Sequence, residues 1–451
     1  MASAVYPVVS GTTVVRLLPV EETLYLSFPP VTTVTWYDVE EPGPAAAEEC
    51  LRRAAEVLRA RVREVVRRNP WLAGRLIRRD RLGAPVYLTV PDISSEADLA
   101  PYFVEAFGEK AVRPGMSHLE MKERLADATD QPHRRQLAVR FGGECVDRDE
   151  QIFKVALLAR SRRDSSFAVV VSMSHVVGDG HTYFRLLQEL LGRGGGPPAG
   201  AMIPERVVDF PQTSAAMLGN VDSLRGMFFS GYTIAGEVIR HGLNPWRPPF
   251  RVRCYEVDAG WIEAEKAAHA PTAEVPFVST NDVITSWFLR RGGYDYALMT
   301  VNMRPYIDGL TAAHAGNYIQ TVNYFPEMFA TPAGIRLPLN NKLRAPRYDE
   351  VPTAAERFRL RMASITSWTS FSDDFSSLPG CARSMHVPFR NPRTGVLQTA
   401  GGWMDSALIF RPTPTTAAIM ILDRSHETSE ESVLADPAIR RPLFPLSHAE
   451  S

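Results

Sequence analysis

The sequence predicts a mixed α/β protein made of two parts of similar size, and three observations predict it. Strand-like and helix-like segments alternate through both halves of the 451 residues. One segment, FAVVVSM (167–173), is a nearly continuous apolar run, the pattern of a strand covered on both faces. A Gly-Gly-Gly-Pro-Pro stretch without periodicity lies between the halves. The expected organisation is an N-terminal lobe over 1–191, a linker or crossover over 192–211 and a C-terminal lobe over 212–451.

The elements follow in order. Strand-like text runs from Val14 to Leu26 and breaks at Pro29-Pro30. TTVTWY (32–37) is rich in β-branched and aromatic residues and predicts a second strand. A long helix is expected from about Ala45 to Arg68. Its Leu51, Ala54, Leu58, Val62 and Val65 recur at three- and four-residue steps, and Asn69-Pro70 ends it. A short strand follows near Pro85 to Val90. Residues 92–150 are polar and mixed, with helical spacing from Pro114 to His133, and carry no functional signal. Ile152–Leu158 and Phe167–Met173 are expected as buried strands. The second half offers a helix near Asn281 to Arg290, strands at Tyr296–Asn302 and 321–325, and a hairpin of DSALIF (405–410) and AAIMIL (417–422) joined by RPTPTT.

Composition narrows the function classes. Hydrophobic residues make up 45% and charged residues 22%, enough for a sizeable core. The formal net charge of -1 offers no field to attract nucleic acid or an anionic membrane. Cys50, Cys145, Cys254 and Cys381 lie far apart in the sequence without a C-x-x-C pair, which predicts free thiols in a reducing compartment. Met1 to Val15 has no basic segment followed by an apolar one, and no apolar run is long enough to span a bilayer. A cytoplasmic location is expected. His-Glu-x-x-His, a phosphate loop and G-x-S-x-G are all missing, so no metal site, nucleotide cradle or serine nucleophile is predicted.

The segment that carries chemistry is VSMSHVVGDGHTYFRLLQELLG (171–192). A buried strand runs into His175, the chain turns through Gly178-Asp179-Gly180, and a helix begins with Phe184, Leu187, Leu190 and Leu191 on one face. The glycines suggest backbone angles that other residues resist. A histidine fixed at a strand end can serve as a general base, because its neutral form accepts a proton near neutral pH. Asp179 is placed either to bond His175 or to shape the turn through an ion pair. His181, at the helix start, is expected to be solvated. A structural strand-end histidine is the alternative reading, since His-x-x-x-Asp-Gly is a loose pattern.

This segment resembles the signature of the chloramphenicol acetyltransferase-like superfamily, which includes BAHD acyltransferases and the condensation domains of peptide synthetases. Further segments agree in order: NPWLAGRL (69–76), VSTNDVITSWFLR (278–290), VNMRPY (301–306) with AGNYI (315–319), and SITSW (364–368). Taken together they are closest to BAHD enzymes. The resemblance implies two pseudo-symmetric mixed-sheet lobes with an active-site channel between them. It implies an acyltransferase, without cofactor or metal, that uses acyl-CoA or another acyl thioester as co-substrate and a small-molecule acceptor, in secondary metabolism. His175 would be the general base, with no covalent acyl-enzyme. Asp179 would pair with Arg304 and, with Gly180, serve a structural role. Thr366 and Trp368 match positions that contact the acceptor or the developing oxyanion in some relatives; core packing is the other reading of Trp368. The BAHD motif Asp-Phe-Gly-Trp-Gly is degraded: Asp374-Phe375 is followed by Ser-Ser, and Gly401-Gly402-Trp403 stands apart. Two rivals remain at this point. One is a stand-alone condensation-type enzyme that takes its acyl group from a carrier protein. The other is a non-catalytic binding protein on the same fold.

Overall fold

The structure is a computed structural model that describes residues 13–78, 85–125, 137–192, 200–218, 251–343, 360–371, 378–390, 405–423 and 430–445. Asp374-Phe375 and Gly401-Gly402-Trp403 lie outside these residues. The chain forms two compact units. The first takes Met1–Arg206, Thr311–Asn317 and Phe371–Asn391. The second takes Val207–Leu310, Tyr318–Ser370 and Pro392–Ser451. The first change of unit thus falls inside 192–211. A single cut does not describe the division, because two segments from late in the sequence belong to the first unit.

The first unit is built on a five-stranded sheet. Its strands are β2 (Val31–Val39), β5 (Phe103–Phe107), β6 (Phe153–Ala159), β7 (Ser166–Met173) and β12 (Cys381–Pro388), in the order β12-β2-β7-β6-β5. All neighbours are antiparallel except β5 and β6. Phe167 to Val171 and Met173 of β7 are buried, as its apolar text predicts. Helix α1 (Pro44–Arg68) buries the five predicted apolar positions, and Arg67 and Arg68 in its last turn complement the helix dipole. A smaller sheet, β1 (Thr13–Arg16), β4 (Val86–Val90) and β3 (Leu76–Arg78), completes the unit.

The core of this unit is not purely apolar. Thr32 meets Ser172 at 2.7 Å, Thr33 meets the Tyr183 hydroxyl at 2.7 Å, and Thr35 meets His386 Nδ1 at 2.8 Å. These three buried hydroxyls of β2 thus find partners on other elements, which a dry interior requires.

The second unit holds one seven-stranded sheet. β8 (Arg251–Val257), β9 (Tyr296–Asn302), β10 (Ile319–Tyr324), β11 (Met362–Ser367), β13 (Asp405–Phe410), β14 (Ala417–Asp423) and β15 (Ile439–Pro442) run in the order β10-β9-β11-β13-β14-β8-β15. The predicted hairpin is the antiparallel β13–β14 pair. The helix Thr280–Arg291 begins with a capping box made by Ser279 and Asp282.

Several expectations are corrected. The strand foreseen from Val14 to Leu26 ends at Arg16, and Leu24–Leu26 is a short 3-10 helix. Side chains replace the ladder there: Leu18 N donates to Glu21 Oε2 at 2.9 Å, and Thr23 Oγ1 donates to Pro19 O at 2.6 Å. Strand β5 lies inside the stretch 92–150 that gave no strand signal, because its residues are only half-buried. Residues 200–206 are not a loose linker. Met202 N donates to the Asn69 side chain at 2.8 Å, and Ile203 bridges to His314. The cysteines, distant in sequence, include one close pair: Cys50 Sγ lies 2.6 Å from Cys381 Sγ, and all four are free thiols.

Two buried histidines flank β12. His386 sits on the strand itself, and His118 stacks on Phe389 with ring centroids 5.4 Å apart. Burial, with Lys122 nearby, lowers His118 to about 4; burial, with Arg383 nearby, lowers His386 to about 3. Both are neutral in the fold at neutral pH. In the unfolded chain they titrate near about 6.5. On acidification the unfolded state therefore binds protons first. Stability should be complete above about pH 6.5 and fall toward the folded values, by about 1.4 kcal/mol per pH unit for each histidine. Urea titrations at pH 7, 6 and 5 should show this slope, and His386→Gln should reduce it by about one proton. A slope unaltered by that substitution would mean that His386 is protonated in the fold.

Candidate active site

The site is built at the end of β7. Beyond Met173 the backbone turns at once: Ser174 N donates to Ile152 O at 2.7 Å, and Val177 N to Ser174 O at 3.2 Å. Helix α2 (Gly180–Leu191) then starts with Asp179 as its N-cap. Asp179 Oδ1 accepts from Thr182 N at 3.0 Å and from Thr182 Oγ1 at 3.1 Å. The acid thus satisfies helix-start donors and sits where the helix dipole favours negative charge. His175 and the capped helix are carried on one short, fully connected turn.

The glycines act otherwise than expected. Neither Gly178 nor Gly180 has a positive φ. Gly178 is needed for close approach, since a Cβ there would stand 2.6 Å from Thr182 Cγ2. The left-handed position is Gly316, at φ 135°. Its carbonyl accepts from Asp179 N at 3.2 Å, and its N–H donates to Thr182 Oγ1 at 3.3 Å. That geometry delivers the next residue, Asn317, to the histidine.

Asn317 is wholly buried. Its Nδ2 donates to His175 O at 2.8 Å and to Glu21 Oε1 at 3.0 Å. This leaves Oδ1 facing His175 Nδ1 at 3.1 Å. An amide oxygen only accepts, so Nδ1 must carry the ring proton and Nε2 keeps its lone pair. Glu21 holds the amide in turn: Oε1 also accepts from Asn317 N at 2.8 Å, and Oε2 accepts from Leu18 N at 2.9 Å. Glu21 is balanced by Arg206, whose Nε lies 2.8 Å from Oε2, both side chains without solvent exposure. Arg206 also donates to Val177 O at 3.0 Å, Ala315 O at 3.0 Å and Pro204 O at 2.6 Å.

The imidazole is also clamped by rings. Tyr25 stacks on it with centroids 4.5 Å apart and planes 27° apart, and Phe28 meets it edge-on at 5.7 Å. The residue as a whole remains partly exposed. Burial lowers His175 to about 4, and the charge of Arg390 adds to the fall, against opposing effects from Asp179 and Asn317. The ring is therefore neutral at physiological pH, the state a proton acceptor needs.

The other predicted residues are placed as follows. Gly180 is the first residue of α2. His181 is not merely solvated, since its Nε2 lies 3.1 Å from Ala312 O. Arg304 belongs to the second unit, where its Nη1 donates to Asn302 Oδ1 at 3.1 Å and its guanidinium covers the Tyr318 ring at 5.1 Å. Thr366 and Trp368 also belong to the second unit. Thr366 lies within β11, and Trp368, just past it, is buried with its backbone N–H bonded to Ile409 O at 2.8 Å. Among the described residues, no group of His, Cys, Asp or Glu could hold a metal ion, and no helix is long and apolar enough to cross a membrane. The sequence reading missed Glu21, Tyr25, Arg206, Asn317 and Arg390. Only Asn317 had a signal, as part of AGNYI.

No protein-family model matches the sequence, and no curated protein matches it. Solved structures do. TRI101 of F. graminearum, complexed with ethyl coenzyme A, is 12% identical with a TM-score of 0.54, covering 94% of this chain and 97% of that one. The first condensation domain of the CDA synthetase is 12% identical with a TM-score of 0.53, covering 96% and 98%. Polyketide synthase associated protein 5 from Mycobacterium tuberculosis is 12% identical with a TM-score of 0.55, covering 94% and 96%. With its two sheet-rich units, the chain has the mixed α/β chloramphenicol acetyltransferase-like fold that these proteins share.

Proposed function

We propose that this chain is an acyltransferase that moves an acyl group from a thioester to a hydroxyl or amine of a small-molecule acceptor, with His175 as general base. The observation that carries the reading is the imidazole itself. Its Nδ1 proton is committed to Asn317, its ring is neutral, and the residue is partly exposed. Nε2 is the remaining basic atom. As the acceptor oxygen or nitrogen attacks the thioester carbonyl, its proton passes to Nε2. When the C–S bond breaks, the leaving thiolate takes that proton back, and the histidine ends neutral without having been acylated.

An imidazole that titrates at about 4 is a weak base but, once protonated, a strong acid. That suits return of the proton to a thiolate. Asp179 is a positioning residue in this reading, through its hold on the start of α2. Coenzyme A as donor carrier is supported by the fold shared with TRI101, whose structure contains ethyl coenzyme A. The same fold in a condensation domain supports a carrier-protein thioester as the second reading. Four free cysteines fit a reducing, cytoplasmic compartment.

The test is thiol release from a panel of acyl-CoA and carrier-protein thioesters in the presence of varied alcohols and amines. His175→Ala should keep its circular dichroism spectrum and lose about 10²- to 10⁴-fold in rate. Release that persists at the wild-type rate would rule out the mechanism. The acid limb of kcat/KM should lie near pH 4, where burial places His175, and not near the ordinary value of about 6.5. Asn317→Leu should lower kcat by about 10²-fold with little change in KM, because it frees the ring to turn without removing the base. An equal loss in KM alone would assign Asn317 to binding.

A further inference from the structure

Three enclosed arginines among the described residues have acidic partners. Arg206 lies 2.8 Å from Glu21, Arg253 lies 2.5 Å from Asp423, and Arg336 lies 2.6 Å from Asp282. Arg390 departs from this pattern. Among the described residues, no hydrogen bond and no ion pair engages its guanidinium. Surrounding protein lowers it to about 10 by desolvation alone, so it remains a cation at neutral pH. It is nevertheless partly exposed.

The register of β12 places it. Pro388 stands opposite Thr33 of β2, and Phe389 N donates to Thr32 O at 2.8 Å. Arg390 therefore follows at the level of Val31. Val31 pairs with Met173, the last residue of β7, two residues before His175. Neighbouring strands are about 4.8 Å apart, so the Arg390 backbone lies two strand spacings from the end of β7, at the same end of the sheet. The Arg390 charge is felt at the imidazole.

We infer that Arg390 is a specificity-determining residue that binds a carboxylate of a reactant held at His175. An enclosed cation without an anion costs free energy, and a ligand that brings the anion recovers it. The guanidinium fork matches a carboxylate with two parallel hydrogen bonds. The phosphates of a coenzyme A donor do not fit the position, since the pantetheine arm holds them away from the thioester. The inference rests on His175 being the reacting centre. The carboxylate has two possible sources: an acyl group with a second acid function, or an acidic acceptor.

The experiment uses the full chain as wild type, Arg390→Gln, Arg390→Lys and His175→Ala. Its first arm reads binding alone. Millimolar malonate or 4-hydroxybenzoate should raise the thermal midpoint of the wild type and of His175→Ala, and leave Arg390→Gln unmoved. Malonamide and methyl 4-hydroxybenzoate should have no such effect. Arg390→Lys keeps the charge without the fork and should bind more weakly. Without ligand, Arg390→Gln should melt at or above the wild-type midpoint; a marked fall, or failure to fold, would make Arg390 structural and overturn the inference. The second arm reads the source. Malonyl-CoA against acetyl-CoA tests the acyl group, and 4-hydroxybenzoate against its methyl ester, with acetyl-CoA, tests the acceptor. In one of these pairs the acid form should be preferred by about tenfold or more in kcat/KM, and Arg390→Gln should abolish the preference. Arg390-dependent binding without thiol release from any donor would keep the carboxylate site and remove the acyl-transfer reading. Acids that bind no better than their neutral counterparts, or equally well to Arg390→Gln, would remove the carboxylate site and leave acyl transfer standing.

Discussion

The site depends on one buried carboxylate. Glu21 accepts from the backbone and side chain of Asn317, from Leu18 N and from Arg206. Four donors on two oxygens leave the acid little freedom. Because Glu21 takes one Asn317 N–H and the His175 carbonyl takes another, the amide has a single consistent orientation. That orientation decides which nitrogen of His175 is basic. A proton position on the imidazole is thus set by an acid that does not touch the ring. The arrangement is expensive to break: removing one partner of a buried ion pair costs about 3–5 kcal/mol, because the other charge is left uncompensated. What the pair contributes is orientation more than stability.

The same logic explains why so many distant segments meet here. Residues 21, 25, 175, 206, 317 and 390 come from five stretches of chain, all within the first unit. A histidine on β7 and its turn alone would retain rotamer freedom at the exposed end of the strand. Tyr25 removes it from one face by stacking, Phe28 limits it at an edge, and Asn317 fixes the rotation of the ring. Tyr25 is delivered by a single 3-10 turn, and Phe28 and Asn317 by irregular segments, instead of by a sheet or a long helix. Such segments follow whatever path side-chain hydrogen bonds dictate. The carboxylate of Glu21 does this for residues 18–21, and the positive φ of Gly316 does it for Asn317.

That distinction also separates what was legible in the sequence from what was not. Apolar patterning placed α1, α2, β7, β9 and the β13–β14 pair, because burial, of one face or of both, writes itself into the order of residues. The His175 turn was legible for a related reason: a covered strand, a cap residue and an amphipathic helix follow one another without a gap. Glu21, Arg206 and Arg390 left no such mark. Glu21 lies in text rich in Leu and Val that suggested a strand, and Arg206 in a Gly- and Pro-bordered stretch that suggested a linker. Their roles arise from pairing across long separations in the chain, for which local order has no signature. β12 was missed for the same reason. Its sequence, CARSMHVP, puts a polar residue in the interior, where His386 meets Thr35, so the alternation that marks a half-buried strand is absent.

The electrostatics of the imidazole involve a compromise. Enclosure keeps the ring neutral, so nearly every molecule carries the base in its useful form at neutral pH, but enclosure also makes that base weak. Arg390 pushes further in the same direction. A second cation beside a proton acceptor is unfavourable for catalysis unless something cancels it at the moment of reaction. A bound carboxylate would do so, since it neutralises the guanidinium and lets the imidazole accept a proton with less penalty. The base would then be at its strongest only when an acidic reactant is in place. Binding energy from one end of the ligand would thereby be converted into proton affinity at the other, a form of selectivity expressed in kcat as well as in KM.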